Sequence, residues 1–550
     1  MRQAPDLPAV FNEQGLKALC GNPPSKTTLS YQCELLTPMY GGGVEPGQVD
    51  KEMPIRATAI RGQLRFWWRL LFGNPQDSKD SFLREREIWG GLGDAPGEVA
   101  SSQVSINIRD LKVDLRQIFP AVETTVEGES SKTRWHKNLK NQIGLQYALF
   151  AAQDKAKPGT LLSACCWRLD IKIEGGAETA PPGHSATVKQ QVEDCLRWWA
   201  TFGGIGARTR RGLGAVIVRP VGSTEPLTVE ETEISSKDCK LVALPGDFNP
   251  REATKELNKV LEKFRDFRQG VNNSEADLGF GRKKQEEPAT GRPAGRSLWP
   301  EADVVRLATG KWFGKTGKRS HLLKNGGMGG PHTHAPNYTG PAIYPRAQFG
   351  LPLIIHFADK RDGDPDDATV LPLVTQPHGP DQPMERMASP MIFRVSANQN
   401  GSCRVNLLVL PNDFAKVTYR LEGGAVDMNR LPKPSNESAQ KPAWKDPIEA
   451  FLTYLSAHPP QPNSAPPAPK PADAQSTAWG KCRVQRNRVN GALTVTNEAG
   501  NKTGAATGAA AEVLLEQLPV EQREKLRVRG SYSLLVTVAN GSIVKLEPAP

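Results

Sequence analysis

Apolar residues recur along this chain at two spacings, and the spacing assigns most of its elements. Between residues 59 and 72, Ile60, Leu64, Trp67, Trp68 and Leu71 fall at i, i+4, i+7, i+8 and i+11, the stripe of an amphipathic helix. Arg61, Arg65 and Arg69, four apart, make a second stripe on another flank. A second helix is predicted over 186–202, where Val188, Val192, Cys195, Leu196 and Trp199 repeat the pattern, with Ser185 as N-cap and Gly203 as its end. Short or alternating apolar runs predict strands at 29–36, 103–109, 164–173 and 215–219. With the stretch through Trp135 and His136 set aside as an insertion, the order is β-α-β-β-α-β, that of a ferredoxin-like unit.

A second mixed unit follows. Leu257, Val260, Leu261 and Phe264 form the apolar face of a charged helix over 252–268, strands are expected at 351–357, 390–395 and 405–410, and a closing helix at 447–458. Between them lies a basic, Gly-rich stretch, 281–346, longer than ordinary loops. Seven prolines in the twenty residues 459–478 make a semi-rigid linker. Beyond it, Asn490-Gly491 and Asn540-Gly541 sit between alternating apolar runs and predict two hairpins, with a helix over 509–518 between them. The expected fold class is therefore α+β. The domains are 1–220, 221–458 with the long basic insertion, the linker 459–478, and a small β-rich accessory domain over 479–550 (a barrel or a sheet with one helix).

Composition narrows the function. The 550 residues carry 70 Lys and Arg against 59 Asp and Glu, a formal charge of +11, and no run approaches the ~20 apolar residues that span a bilayer. Residues 1–10 lack an apolar run behind a basic start, so no secretory signal is expected. Eight cysteines without a C-x-x-C point to a reducing cytoplasm and away from a zinc ribbon or disulfide scaffold. The positive charge is concentrated. Residues 53–76 hold four arginines and no acid, 197–219 hold five arginines and no acid, and 304–358 run 55 residues without an acid. Phosphate is the partner such segments suit, because neutralising it releases counterions.

Two stretches are specific. One is 36–73, LTPMYGGGVEPGQVDKEMPIRATAIRGQLRFWWRLLFG; the other is 202–216, FGGIGARTRRGLGAV, between a helix and a strand. Five glycines and three arginines in 203–214 combine close backbone approach with charge suited to phosphate or base stacking. The loop leaves a helix instead of opening one, so it is no dinucleotide fingerprint. Together these motifs closely resemble the RAMP superfamily of CRISPR-associated proteins, and within it the first RAMP module subunit of the type III-B, or Cmr, effector. The run 388–394 is similar to that family too, whereas the linker and tail lie outside its pattern. The resemblance implies two ferredoxin-like (RRM-like) RAMP domains in a non-catalytic subunit that binds the 3′ portion of a guide RNA (crRNA) at one end of the effector filament, in antiviral defence. Other RAMP subunits are its implied neighbours, and target RNA a further candidate partner. The candidate RNA contacts are Gly41, Gly42, Gly43, Arg56, Arg61, Arg65, Arg69, Gly204, Gly206, Arg208, Arg210 and Arg211, with Lys315, Arg319 and His332 from the long insertion. Arg69 suits an ion pair as well, and Trp67 and Trp68 at helical spacing suit a core.

Two other readings stay open: a metal-independent RAMP endoribonuclease acting through Tyr40 or Lys315, the first histidine, His136, falling inside the apparent insertion; and a scaffold that grips proteins. No cofactor or metal is expected. His321, His332 and His334 lie among Gly, Pro and Asn with no Cys nearby. The P-loop-like run 309–316 has Thr309 where the first Gly must stand. The acidic run 362–367 reads as a solvated turn.

Overall fold

A computed structural model describes residues 26–92, 99–127, 130–154, 156–174, 178–181, 183–269, 299–312, 335–336, 338–357, 360, 363–374, 382–412, 418–423, 425–431, 442–460, 477–486, 493–497, 503–506, 511, 514–515, 518–529, 531–539 and 542–548. Lys315, Arg319, His332, the other insertion histidines and both Asn-Gly turns lie outside them. The chain divides into two compact units, 1–460 and 461–550.

In the first unit the opening elements are β1 (Lys26–Leu35), α1 (Ala57–Phe72), α2 (Ser78–Trp89), β2 (Val104–Lys112), β3 (Cys166–Glu174), α3 (Val188–Phe202) and β4 (Val216–Pro220). Their sheet has the order β4-β1-β3-β2, every neighbouring pair antiparallel. All five apolar positions of the α1 stripe are buried. They meet α3 through aromatic rings, Trp67 lying 5.7 Å from Trp198 and 6.3 Å from Phe202. Trp68 donates its indole N–H to Gln191 Oε1 at 2.8 Å, so both tryptophans belong to the core. The N-cap of α3 is Thr187 instead of Ser185. Its hydroxyl accepts from the Gln190 N–H, and the Gln190 side chain returns the bond in a capping box. The helix α2 was not anticipated, since its apolar pattern is interrupted by six charges.

The second half of this unit contributes β5 (Lys240–Ala243), α4 (Ala253–Gln269), α5 (Glu301–Thr309), β6 (Met391–Ala397), β7 (Cys403–Val409) and α6 (Pro447–Ala457). Among the described residues its sheet has three strands in the order β5-β7-β6. Leu257, Val260, Leu261 and Phe264 of α4 are buried in its core, as their spacing predicts. The two cores are not separated at residue 220. Ile392 and Leu408 pack in the first, while Tyr40 and Leu213 pack in the second. The insertion of the first half also docks onto the second. Gly144 lies so close to α4 that a Cβ would stand 2.2 Å from the Asn258 carbonyl oxygen, and the Leu145 N–H donates to Asn258 Oδ1.

Two expectations are corrected here. The strand expected over 351–357 is shorter, Leu353–Ile355, and pairs with Ala368–Val374 in a separate small sheet. Pro352 has no N–H with which to extend it. The acidic run 362–367 is not simply solvated. Asp364 is buried against Arg306 at 3.2 Å, and Arg306 also binds Asp303 at 3.0 Å. Arg346 is held by the buried Glu301 at 3.1 Å. Two cations of the acid-free run 304–358 are thus neutralised from its flanks.

The second unit is a closed barrel of five strands, β8 (Thr477–Arg486), β9 (Leu493–Asn497), β10 (Thr503–Ala506), β11 (Ser531–Ala539) and β12 (Ser542–Pro548), in the order β8-β9-β10-β12-β11. The described helix between β10 and β11 is α7 (Val520–Arg529); most of the helix expected over 509–518 lies outside the described residues. Cys482, Val484, Leu493, Val495, Leu534 and Val536 fill the interior with Leu526 of α7.

Candidate nucleic-acid interface

The two sequence motifs, some 160 residues apart, meet in space. The Thr37 hydroxyl donates to the Gly212 carbonyl at 2.6 Å and accepts from the Ala215 N–H at 2.9 Å. The N–H of Gly214 donates to Pro38 and that of Ala207 to Tyr40, at 2.9 and 2.7 Å. Residues 36–43 and 203–215 are therefore one stitched structure, and its glycines are there for contact between backbones. Gly42 has φ +99° and Gly206 φ +77°. A Cβ on Gly42 would stand 3.2 Å from Gly206 Cα, and one on Gly206 would stand 2.6 Å from the Tyr40 carbonyl oxygen. Gly204 is similarly crowded, 2.9 Å from the Gly214 carbonyl oxygen.

Most backbone donors here are already used. Gly41 donates to Thr160 and Gly43 to Gln48, at 3.0 and 2.8 Å. Among the described residues the N–H groups of Gly42, Gly206 and Arg208 have no acceptor. Gly42 and Gly206 are partly exposed and Arg208 is exposed. Arg208 has φ +61°, unusual for a side-chain-bearing residue, and its guanidinium has no hydrogen bond or ion pair among the described residues. N–H groups of this kind, in a loop that also carries the exposed guanidinium of Arg208, are groups suited to an anion.

The other arginines of the loop are spent internally. Arg210 donates to the Ser389 carbonyl and lies 5.5 Å over the Phe66 ring. Arg211 donates to the Phe349 carbonyl at 3.3 Å and lies 4.8 Å over Phe264 and 5.6 Å over Phe393. Burial, and then the nearby Arg268, pull its pKa down to about 9. These two side chains fasten the loop to the second half of the unit, leaving Arg208 as the loop's outward cation.

The helix arginines divide in the same way. Arg56 donates to the Gly43 carbonyl at 3.2 Å and braces the glycine turn. Arg61 donates to the Trp89 carbonyl. Arg65 and Arg69 converge on Glu85, Arg69 Nε lying 2.6 Å from Oε2 and Nη2 2.9 Å from Oε1. Glu85 is only 2% exposed. Burial alone would raise its pKa; the bonds from Arg69 and Arg65 outweigh it and hold the carboxyl below its ordinary value. Arg69 stays half-exposed, so the ion-pair alternative for this residue is the one realised.

The outer face of the first sheet offers no stacking platform. Its outward positions on β3 and β2 are Arg168, Asp170, Lys172, Ser105, Asn107 and Arg109, none of them aromatic. Asp170 gathers Ser30 at 2.7 Å, Arg168 at 3.1 Å, and Arg109.

Sequence reasoning missed Arg394. It is 1% exposed and donates to the carbonyls of Ala200 and Val216, both at 2.8 Å, and of Thr201 at 3.2 Å. Two of those carbonyls belong to the last turn of α3, where a cation is favoured by the helix dipole. It fixes β6 to the helix that launches the loop. Nothing in its own neighbourhood marks it as buried except its place in an apolar alternating run.

Groups proposed for cleavage are poorly placed. Tyr40 is buried, and burial raises its pKa despite Arg208 nearby. His136 is buried and stacked on Phe119 with ring centroids 4.6 Å apart, and burial lowers its pKa. No cluster of three or more His, Cys, Asp or Glu suited to a metal occurs among the described residues.

Residues 32–217 match the family model described as RAMPs, RAMP superfamily. Among solved structures, the chain is similar to Cmr1 from Pyrococcus furiosus in its apo form, with 13% identity over 78% of this chain and 96% of that one, at a TM-score of 0.29. It is also similar to a chain of the type III-B Cmr-beta complex bound to cognate target RNA, with 12% identity over 78% and 99% and a TM-score of 0.33. Likenesses this distant do not bear on what the chain binds. No curated protein matches it.

Proposed function

We propose, from the match of residues 32–217 to the RAMP superfamily, that the chain is a non-catalytic RNA-binding subunit of a type III-B CRISPR effector, gripping the 3′ portion of the guide RNA at one end of the filament. The observation that carries this reading is the convergence of the two motif stretches on one surface, where Gly42, Gly206 and Arg208 present unspent donors and an unpaired cation. Such a site contacts phosphate and sugar and is tolerant of sequence. The sheet order β4-β1-β3-β2 with its two helices supports a ferredoxin-like first domain. The three-stranded β5-β7-β6 sheet supports a second domain of the same class with one strand fewer. In this reading the subunit works in the cytoplasm beside other RAMP subunits, and the raised Tyr40 and buried His136 favour binding over cleavage.

Titrating single-stranded guide RNA against the full-length chain over a range of salt tests the proposal. Arg208→Ala is expected to lower the slope of log K against log salt by about one. An unchanged slope removes Arg208 from the interface. Discrete cleavage products from repeat RNA, lost on substituting Tyr40, would replace the binding reading with the endoribonuclease.

A further inference from the structure

The C-terminal barrel lies outside the RAMP match and has a topology of its own. Its five strands close in the order β8-β9-β10-β12-β11, β10 and β12 pair in parallel, and α7 is inserted between β10 and β11. This is the connectivity of an OB-fold, a barrel whose outer face around its second and third strands takes up oligonucleotides or oligosaccharides. Topology alone does not choose a ligand; the distribution of charge does. From Ala474 to Asn497, which includes β8 and β9, there is no Asp or Glu, while Lys481, Arg483, Arg486 and Arg488 all fall there. The acids of the unit flank this stretch, Asp473 before it and Glu498, Glu512, Glu516, Glu521, Glu524 and Glu547 after it.

On β8 and β9 the inward positions Cys482, Val484, Leu493 and Val495 are buried in the barrel, so the alternate positions face out. Arg483 and Gln485 on β8 are exposed, as is Thr494 on β9, with Thr496 half-buried. Register places Arg483 opposite Thr496 and Ser533, and Gln485 opposite Thr494. The described outward side chains of this face are thus three hydroxyls, one amide and one cation. We infer that the face of the first two strands, β8 and β9, which shares β9 with the face such barrels use, is a second binding site, for single-stranded RNA held chiefly by its phosphates. The inference stands apart from the site at Arg208, since it rests on a different unit.

The test uses the full-length chain and a 4-thiouridine-labelled single-stranded RNA of about 20 nucleotides, longer than the ~4–16 covered by one such barrel. After photocrosslinking, labelled peptides are mapped, and affinity is measured for Arg483→Glu combined with Thr496→Glu and for the milder Arg483→Gln. Crosslinks within 477–506, with affinity reduced about tenfold by the double variant and the salt slope reduced by about one in Arg483→Gln, are expected. Crosslinks confined to 26–460, with both variants binding like the parent, would overturn the inference and leave the first site standing. Crosslinks confined to the barrel would do the reverse. The Arg483→Gln arm keeps the outcome readable if the double variant fails to fold.

Discussion

Arg65 and Arg69 of α1 and Arg210 and Arg211 of the 203–214 loop come from stretches equally free of acids, yet they are held by different chemistry. On α1, Arg65 and Arg69 share one carboxylate, Glu85, contributed by the next helix and itself buried. The loop finds no carboxylate, and Arg210 and Arg211 give their N–H groups to backbone carbonyls while their planar faces cover phenylalanine rings. A guanidinium can be satisfied by either route, because its five N–H groups donate to neutral oxygens as well as to carboxylates and its planar face lies over an aromatic ring. A stretch without acids is therefore not a surplus of available charge. Of the three loop arginines, Arg208 alone has no hydrogen bond or ion pair among the described residues.

The contrast makes graded predictions. The carbonyl-held mode is most developed at Arg394, and Arg394→Met is expected to cost about 3 kcal/mol or more, because three carbonyls lose a buried donor. Urea unfolding of the full-length protein measures it; a loss near zero would show that those carbonyls are satisfied without the side chain. Arg211→Ala comes next, at about 2 kcal/mol, from the lost carbonyl bond and ring contacts. Glu85→Gln is expected to cost about 1 kcal/mol at neutral pH, moderated by the exposure of both arginines. Because the Glu85 carboxyl is held below its ordinary value, the stability it contributes is present at neutral pH and lost as pH falls through and below the usual glutamate range. Parent and Glu85→Gln should thus converge in acid, and a gap that persists at low pH would contradict the ion-pair account. Arg208→Ala should change stability least, by under ~0.5 kcal/mol, while weakening RNA binding. If it destabilises as much as Arg211→Ala, the division between the two is wrong.

Local periodicity carried much of the fold. The α1 and α3 stripes and the four strands of the first sheet are found where the pattern puts them, within a few residues. What escaped was non-local. The helix α2 is too charged to show a stripe, although its Glu85 decides the role of two candidate arginines. Arg210 and Arg211 looked like Arg208 because their partners, Ser389, Phe349 and Phe393, lie about 140–180 residues away. The glycines of 41–43 and 203–214 were recognisable as demanding close approach, but the object approached is first of all the opposite loop.

The stitching of residues 36–43 to 203–215 has a consequence for biosynthesis. A ribosome adding about 5–20 residues per second needs roughly 10–35 seconds between Gly42 and Arg211. Arg210 and Arg211 then wait for Ser389 and Phe393 before the loop is pinned. The nascent chain therefore carries Arg210 and Arg211 unfastened until residues 389–393 have been added, and completes this surface only when the second half has docked. Completion of this surface is a late event in the life of this polypeptide, set by the order in which its parts emerge.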